Sequence, residues 1–199
     1  VIKEGRLIGE FEGMYQDFDD PWEQTTREKY ALEKLIGLEL LSKYQHRKPI
    51  EYGCGLGHYT QKLHEKFGTA GGVDASSTAI QKAKHQFPDP SFYKGDLLDR
   101  HILESFKPDC LCMVEISWYV LDKMEAFKQM ISKTSKRCGF FHTLMTYGAG
   151  QQSYGAEYFS NIDEIRSYWS DIIDISDWGL IGNTEYGGGN RTFFYGTIR

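Results

Sequence analysis

Residues 50–60 read IEYGCGLGHYT: a short apolar run, three glycines at alternate positions, then a helix-like run. A strand, a turn and a helix start of this kind present backbone N–H groups to a ligand, and the missing Cβ atoms let that ligand come close. A dinucleotide fingerprint needs a further glycine three positions after its second one. Counted from Gly53 that place holds His58, and counted from Gly55 it holds Thr60, so neither register completes the pattern. A dinucleotide becomes the minority reading, and another ligand that needs close backbone approach the favoured one.

Outward from this turn, short β-rich runs alternate with helix-like stretches, the pattern of a parallel sheet with helices on both faces. Strands are expected at Ile50 to Tyr52, Ala70 to Asp74, Ser91 to Tyr93, Cys110 to Val114 and Phe140 to Met145. Helices are expected at Gly57 to Phe67, Ser77 to Gln86, Lys123 to Ser132 and Ile162 to Trp169, with Ser76 or Ser77 and Asn161 as N-caps. The C-terminal stretch 171–199 holds two β-like runs joined through EYGGGN, which reads as an antiparallel hairpin.

Ahead of the first strand, Thr25 and Glu28 form a capping-box signature, with Leu32, Leu35 and Ile36 on one helical face. A helix from about Thr26 to Tyr44 is expected there. Residues 11–24, FEGMYQDFDDPWEQ, are acidic and aromatic and are broken by Pro21. The expected organisation is a single domain over 1–199, with an N-terminal lid segment and helix at 1–48 and an α/β core at 49–199.

Hydrophobic residues make up 40% of the chain, charged ones 26% and aromatics 15%, an ordinary globular balance with generous aromatics. A net charge of −5 without a Lys/Arg cluster argues against a nucleic-acid footprint. Cys54, Cys110, Cys112 and Cys138 show no CxxC spacing, so reduced thiols and a cytoplasmic setting are expected. No run is apolar and long enough to span a bilayer, and no HxH or HxxxH pairing offers a metal site. The chain begins at Val1, so a few residues are expected ahead of it.

Glu51, Gly53, Gly55 and Gly57 form E-x-G-x-G-x-G, which resembles the first motif of the class I S-adenosylmethionine-dependent methyltransferases. The resemblance continues in order along the chain. GGVDAS places Asp74 21 residues after Gly53, followed by Ala75, where the family holds the ribose hydroxyls with a carboxylate. KGDLLD gives Asp96 and Leu97 at the positions whose side-chain oxygen and backbone N–H meet the adenine edge. CMVEISWYVLD resembles the segment flanking the methionine portion, with Glu115 and Tyr119 in matching places. The resemblance implies a Rossmann-like doubly wound sheet of about seven strands, mostly parallel, ending in the antiparallel hairpin. It also implies S-adenosyl-L-methionine as cofactor and S-adenosyl-L-homocysteine as product. Asp20, Pro21 and Trp22 match a shared Asp-Pro-Trp of the nodulation N-methyltransferase (NodS-like) group, which implies a small polar acceptor, by preference the amine of an amino sugar.

Methyl transfer needs alignment and exclusion of water more than covalent help. Tyr15, Trp22, Trp118 and Tyr119 offer aromatic faces to a sulfonium and a roof over the site, or else plain packing. A general base is needed only for a protonated acceptor, and His142, Glu115 and Tyr119 are the catalytic candidates, with His142 and Glu115 at strand ends. Glu115 can instead contact the cofactor or cap a helix, and His142 can be a buried structural histidine. His58 and Tyr59 can reach the methionine carboxylate or face solvent. The alternatives are an O-methyltransferase, a non-catalytic cofactor-binding module and a nicotinamide-dependent oxidoreductase. A nucleic-acid amine methyltransferase is disfavoured because VEIS stands where D/N-P-P-Y/W would be.

Overall fold

The computed structural model describes residues 2–3, 6–7, 9–27, 31–146, 159–182 and 189–199. Strands β1 (Ile2–Lys3) and β2 (Arg6–Leu7) pair antiparallel ahead of helices α1 (Phe11–Asp17), α2 (Gln24–Arg27) and α3 (Leu32–Lys43). The alternation that follows is β3 (Pro49–Tyr52), α4 (His58–Phe67), β4 (Gly71–Asp74), α5 (Ser77–Gln86), β5 (Ser91–Lys94), α6 (Arg100–Phe106) and β6 (Cys110–Val114). Helix α7 (Met124–Thr134), β7 (Gly139–Thr146), α8 (Ile162–Trp169), β8 (Ile173–Gly182) and β9 (Asn190–Ile198) complete it.

The main sheet has seven strands in the order β5-β4-β3-β6-β7-β9-β8. Strands β3 to β7 pair in parallel, while β9 runs antiparallel to both β7 and β8. The sheet is therefore α/β and doubly wound, as the alternation requires. Strand order reverses beside β3, since the chain goes to β4 on one side and later to β6 on the other. Crevices at such a reversal, outside the carboxyl ends of the strands, are where open α/β sheets take ligands.

Continuous apolar runs mark strands covered on both faces, and every residue of β6 is buried. On one face α6, α7 and α8 bring Ile102, Phe106, Phe127, Ile131, Ile165 and Trp169 against Tyr52, Leu111, Phe140 and Phe194. On the other, α3 and α4 bring Leu38, Leu41, Tyr59 and Leu63 against Cys110, Cys112, Phe141 and Tyr195. Burying each such aliphatic or phenyl side chain contributes roughly 1.5–3 kcal/mol.

Two expectations for the N-terminal region need correction. Leu32 and Leu35 point outward, and α3 buries Glu33, Gly37, Leu38 and Leu41 instead. The capping box does not form around Thr25, which lies inside α2 and donates both its N–H and its hydroxyl to Asp20. Glu28 lies outside the described residues, as do 183–188, most of the connection expected between the last two strands. Helices α1 and α6 were not expected, and each is only seven residues long.

Candidate functional site

The glycine turn leaves β3 and doubles back across β4. Gly53 N and Cys54 N both donate to Val73 O, at 2.8 and 3.0 Å, and Gly57 N donates to Cys54 O at 2.9 Å. Gly53, Gly55 and Gly57 have φ of +71°, +53° and +81°, left-handed values that a side chain would strain. Beneath the turn the buried Glu51 accepts the Thr60 hydroxyl at 2.5 Å. Glu51 thus braces β3 to α4.

Asp74, at the carboxyl end of β4, faces the turn. Its Oδ2 accepts from Gly55 N at 2.9 Å and its Oδ1 from Ser76 N at 2.8 Å. Burial pushes its carboxyl up, against those two N–H groups, which favour the charged form. Ala75, next along, is exposed. Ser76 Oγ caps α5 by accepting from Ala79 N at 3.0 Å.

Gln24, which sequence reasoning passed over, clamps the turn from the N-terminal side. Its Oε1 accepts from Leu56 N at 2.8 Å and its Nε2 donates to Cys54 O at 3.4 Å. Asp20 makes this possible by capping α2: its carboxylate accepts from Gln24 N and Thr25 N, each at 2.8 Å. Burial would raise the Asp20 carboxyl, but the Thr25 and Gln24 donors hold it below the usual range. A Cβ at Gly55 would stand 2.5 Å from the Tyr15 hydroxyl and 2.6 Å from Gln24 Oε1, so a side chain there would strain the backbone and push both groups away from the turn.

Helix α1 lies along α5 and is tied at both ends. Glu12 accepts from Ser76 Oγ at 2.8 Å and from Thr78 Oγ1 at 2.6 Å. Lys82 Nζ donates to the carbonyls of Tyr15 and Phe18, at 2.8 and 3.0 Å, where the helix exposes unpaired acceptors. Tyr15 is buried, and its hydroxyl is pushed up by that burial and then by the Asp74 charge. Trp22 and Phe11 converge on Tyr119, with ring centroids 5.3 and 5.5 Å away. These rings join the N-terminal segment to the Ser117–Tyr119 turn after β6.

Asp96 pairs with Lys123 at 2.5 Å and accepts from Leu98 N at 3.0 Å. Burial alone would raise its carboxyl, but Lys123 holds it low. The Leu97 side chain is buried in the core. Glu115 follows β6 with a left-handed φ of +57°, a conformation that costs a non-glycine residue about 1–2 kcal/mol. Its carboxylate accepts from Met145 N at 3.1 Å and Thr143 Oγ1 at 3.2 Å, linking β6 to β7. Burial pushes this carboxyl up, then the Glu33 charge does, against Lys34 and Arg191.

His142 does not stand at a strand end. Strand β7 continues to Thr146, and His142 is fully buried on the α7 and α8 side, stacked 5.1 Å from Phe194. Its Nε2 meets Ser117 Oγ at 2.7 Å, and burial depresses its pKa to about 3. It is a packed core histidine holding the turn that carries Tyr119, so the expectation of a base there is corrected. Trp118 donates Nε1–H to Met145 O at 2.9 Å and packs near Phe159. Tyr59 is buried between α3 and α4, while His58 meets Phe87 edge-on at 5.1 Å.

The structure thus gathers Gly53, Gly55, Gly57, Asp74, Tyr15 and Trp22 around one turn, with Glu115 and Tyr119 after β6 and Asp96 after β5. Glu51 supports the turn from below. Among the described residues no cluster of three or more His, Cys, Asp or Glu could hold a metal ion. No helix among them is long and apolar enough to cross a membrane.

This strand order and this turn define the class I methyltransferase fold. Residues 50–142, just under half of the chain, match the family described as the methyltransferase domain. In fold, and over those residues in sequence, the chain is similar to the class I S-adenosylmethionine-dependent methyltransferases. It is similar in structure to the N-methyltransferase NodS from Bradyrhizobium japonicum WM9 in complex with S-adenosyl-L-homocysteine, with a TM-score of 0.69 and 16% identity over 93% of this chain and 98% of that one. A SAM-dependent methyltransferase from Anabaena variabilis ATCC 29413 gives a TM-score of 0.70 and 16% identity, covering 98% of each chain. In sequence, trans-aconitate 2-methyltransferase of Rhizobium rhizogenes (strain K84 / ATCC BAA-868) is 29% identical over 87 residues, 43% of this chain. That match spans only 31% of the curated relative's length.

Proposed function

We propose that this protein transfers a methyl group from S-adenosyl-L-methionine to a small polar acceptor, by preference the amine of an amino sugar or a similar metabolite, and releases S-adenosyl-L-homocysteine. The observation that carries this reading is the left-handed glycine turn, closed over by Tyr15 and Gln24, with the Asp74 carboxylate bound to its Gly55 N–H.

The residues present fit that cofactor. Asp74 uses two of its lone pairs on backbone N–H groups and retains others for ribose hydroxyls. The backbone of Gly53 to Gly57 suits the amino-acid tail, with Ala75 beside the ribose and Asp96 and Leu97 N–H toward the adenine. Glu115, Trp22 and Tyr119 flank the methionine portion. When bound, the cofactor supplies an electrophilic sulfonium methyl and leaves as a neutral thioether. The chain supplies alignment and a dry site, worth several kcal/mol through proximity. The Trp22 and Tyr119 faces each suit a cation by about 0.5–2 kcal/mol.

The amine preference rests on Asp20, Pro21 and Trp22, whose structural task is to cap α2 and present Gln24 and Trp22 to the turn. A small acceptor is favoured over nucleic acid by the charge of −5. Four free, buried cysteines suit a cytoplasmic setting. Residues 1–48 act in this reading as a segment that closes over the cofactor held by 49–199. Isothermal calorimetry with S-adenosyl-L-methionine and S-adenosyl-L-homocysteine tests the proposal, and absence of binding by both overturns it. Tight binding without turnover on amine and hydroxyl acceptors would instead mark a binding module.

A further inference from the structure

Two acidic side chains meet on the α3 face of the sheet, at the carboxyl ends of β6 and β7 and the amino end of β9. Glu33, in the first turn of α3, is only 1% exposed, and its Oε1 pairs with Arg191 Nη1 at 2.6 Å. Arg191 sits on β9 directly opposite Met145 of β7. Met145 N, in turn, donates to Glu115 Oε2. One pair of neighbouring backbone positions therefore carries both carboxylates, although 82 residues separate them in the chain.

The donors on this face do not satisfy the acceptors. Glu33 Oε2 is buried and has no hydrogen-bond partner among the described residues. Glu115 accepts from one N–H and one hydroxyl, both neutral donors. Arg191 neutralises one carboxylate, and the second has no cation within salt-bridge distance among the described residues. A buried carboxylate oxygen without a donor costs free energy, and a buried charge without a partner costs more. Such groups persist where a ligand completes them. The left-handed backbone of Glu115 is a second cost at the same place, and strained backbone gathers at functional sites.

Resting on the methyltransferase reading, we infer that Glu33 and Glu115 form the acceptor subsite and hold a primary amine, whose N–H donors complete Glu33 Oε2 and the remaining lone pairs of Glu115. An ammonium supplies three donors and a positive charge in direct contact with Glu115, which Lys34 and Arg191 reach only at longer range. A hydroxyl supplies one donor and no charge, so the subsite selects nitrogen over oxygen. For transfer the ammonium releases a proton: one N–H bond breaks, an O–H bond forms on Glu115, and the electron pair stays on nitrogen. Glu115 suits that step because burial and the Glu33 charge both favour its protonated form. The inference rests on Glu33, buried in a helix turn where a charged residue ordinarily faces solvent, and it explains the amine preference without recourse to resemblance.

Calorimetric titration with and without saturating S-adenosyl-L-homocysteine tests it, using D-glucosamine and D-glucose as matched probes on the wild type, Glu33→Gln and Glu115→Gln. Glutamine keeps the shape and one carbonyl acceptor, and thermal melts confirm folding; Glu115→Gln leaves the Glu33–Arg191 pair intact and carries the test if Glu33→Gln misfolds. Wild type is expected to prefer the amine. Each variant should lose affinity for it by about 10- to 150-fold, the value of a hydrogen bond to a charged group, while S-adenosyl-L-homocysteine binding by Glu33→Gln, which lies outside the cofactor contacts, changes by less than about twofold. Equal amine affinity in wild type and both variants, no amine binding by wild type, or preference for glucose overturns the inference. Amine binding that the variants lose, in a protein that never binds S-adenosyl-L-homocysteine, supports the subsite and overturns the methyltransferase reading alone.

Discussion

Glu12 of α1 reaches the start of α5 and takes the Thr78 hydroxyl at 2.6 Å and the Thr78 N–H at 3.3 Å. A carboxylate at that end also complements the positive pole of α5. The Thr78 and Ser76 hydroxyls depress its pKa from about 4.5 to about 2. A group whose folded pKa is depressed stabilises above its unfolded pKa and ceases to do so as pH falls through the folded one. Docking of α1 should therefore be constant from pH 7 to about 4.5 and weaken from there to about pH 2. Protease cleavage within residues 9–27, followed against pH, reads this out. Glu12→Gln should flatten the dependence; an unchanged profile would place the carboxylate elsewhere.

Asp74→Ala should weaken S-adenosyl-L-homocysteine binding by about 1.5–3 kcal/mol, the range for a hydrogen bond to a charged group. Asp74→Asn should lose less, because its carbonyl oxygen can still accept from Gly55 N–H. Calorimetry compares the two at matched folding by circular dichroism. An unaltered Kd in both would remove Asp74 from the site.

His142 is held neutral down to about pH 3, whereas an unfolded histidine takes up a proton below about 6.5. The unfolded state thus binds the extra proton between those values, and stability falls as pH drops through them by about 1.4 kcal/mol per unit. Urea midpoints of wild type and His142→Gln at pH 7, 5.5 and 4.5 isolate this contribution, and the variant should show the shallower slope. A limb in the kcat/KM profile that His142→Gln abolishes would restore it as a base.

Trp22→Ala removes a ring that packs 5.3 Å from Tyr119. Turnover should fall by about 2- to 30-fold, the worth of one aromatic face on a cation, while Trp22→Phe retains most of it. Thermal denaturation should find the Ala variant folded. A variant that unfolds would make Trp22 a packing residue.

Strand and helix positions were legible wherever a local pattern made them. The apolar run of β6, the Ser76 cap of α5 and the Asn161 cap of α8 are each written in consecutive residues, and those elements begin and end where the sequence puts them. Helix α1 contains Gly13 and few apolar residues; it is held by Glu12 and Lys82 contacts more than 60 residues away in the chain, which no local window contains. The same reason hid Gln24 and Glu33. Their partners, Leu56 and Arg191, lie 32 and 158 residues distant. In α3 the leucines Leu32 and Leu35 misled, because the buried face is set by Gly37 lying close against Phe141 and by the Glu33–Arg191 pair. The strand expected at Phe140 to Met145 already holds His142 inside it, and the burial of His142 is set by Phe194 and Trp169, 52 and 27 residues away, which no local window contains.

Gln24 holds the N–H of Leu56 and the carbonyl of Cys54 with a single amide, so the docking of residues 9–27 and the shape of the glycine turn are not independent variables. By reciprocity, whatever factor a ligand in the turn imposes on the docking equilibrium, docking imposes on the affinity of that ligand. The N-terminal segment therefore works as a gauge of what the turn holds, and cleavage protection of that segment measures occupancy without any methyl acceptor being known.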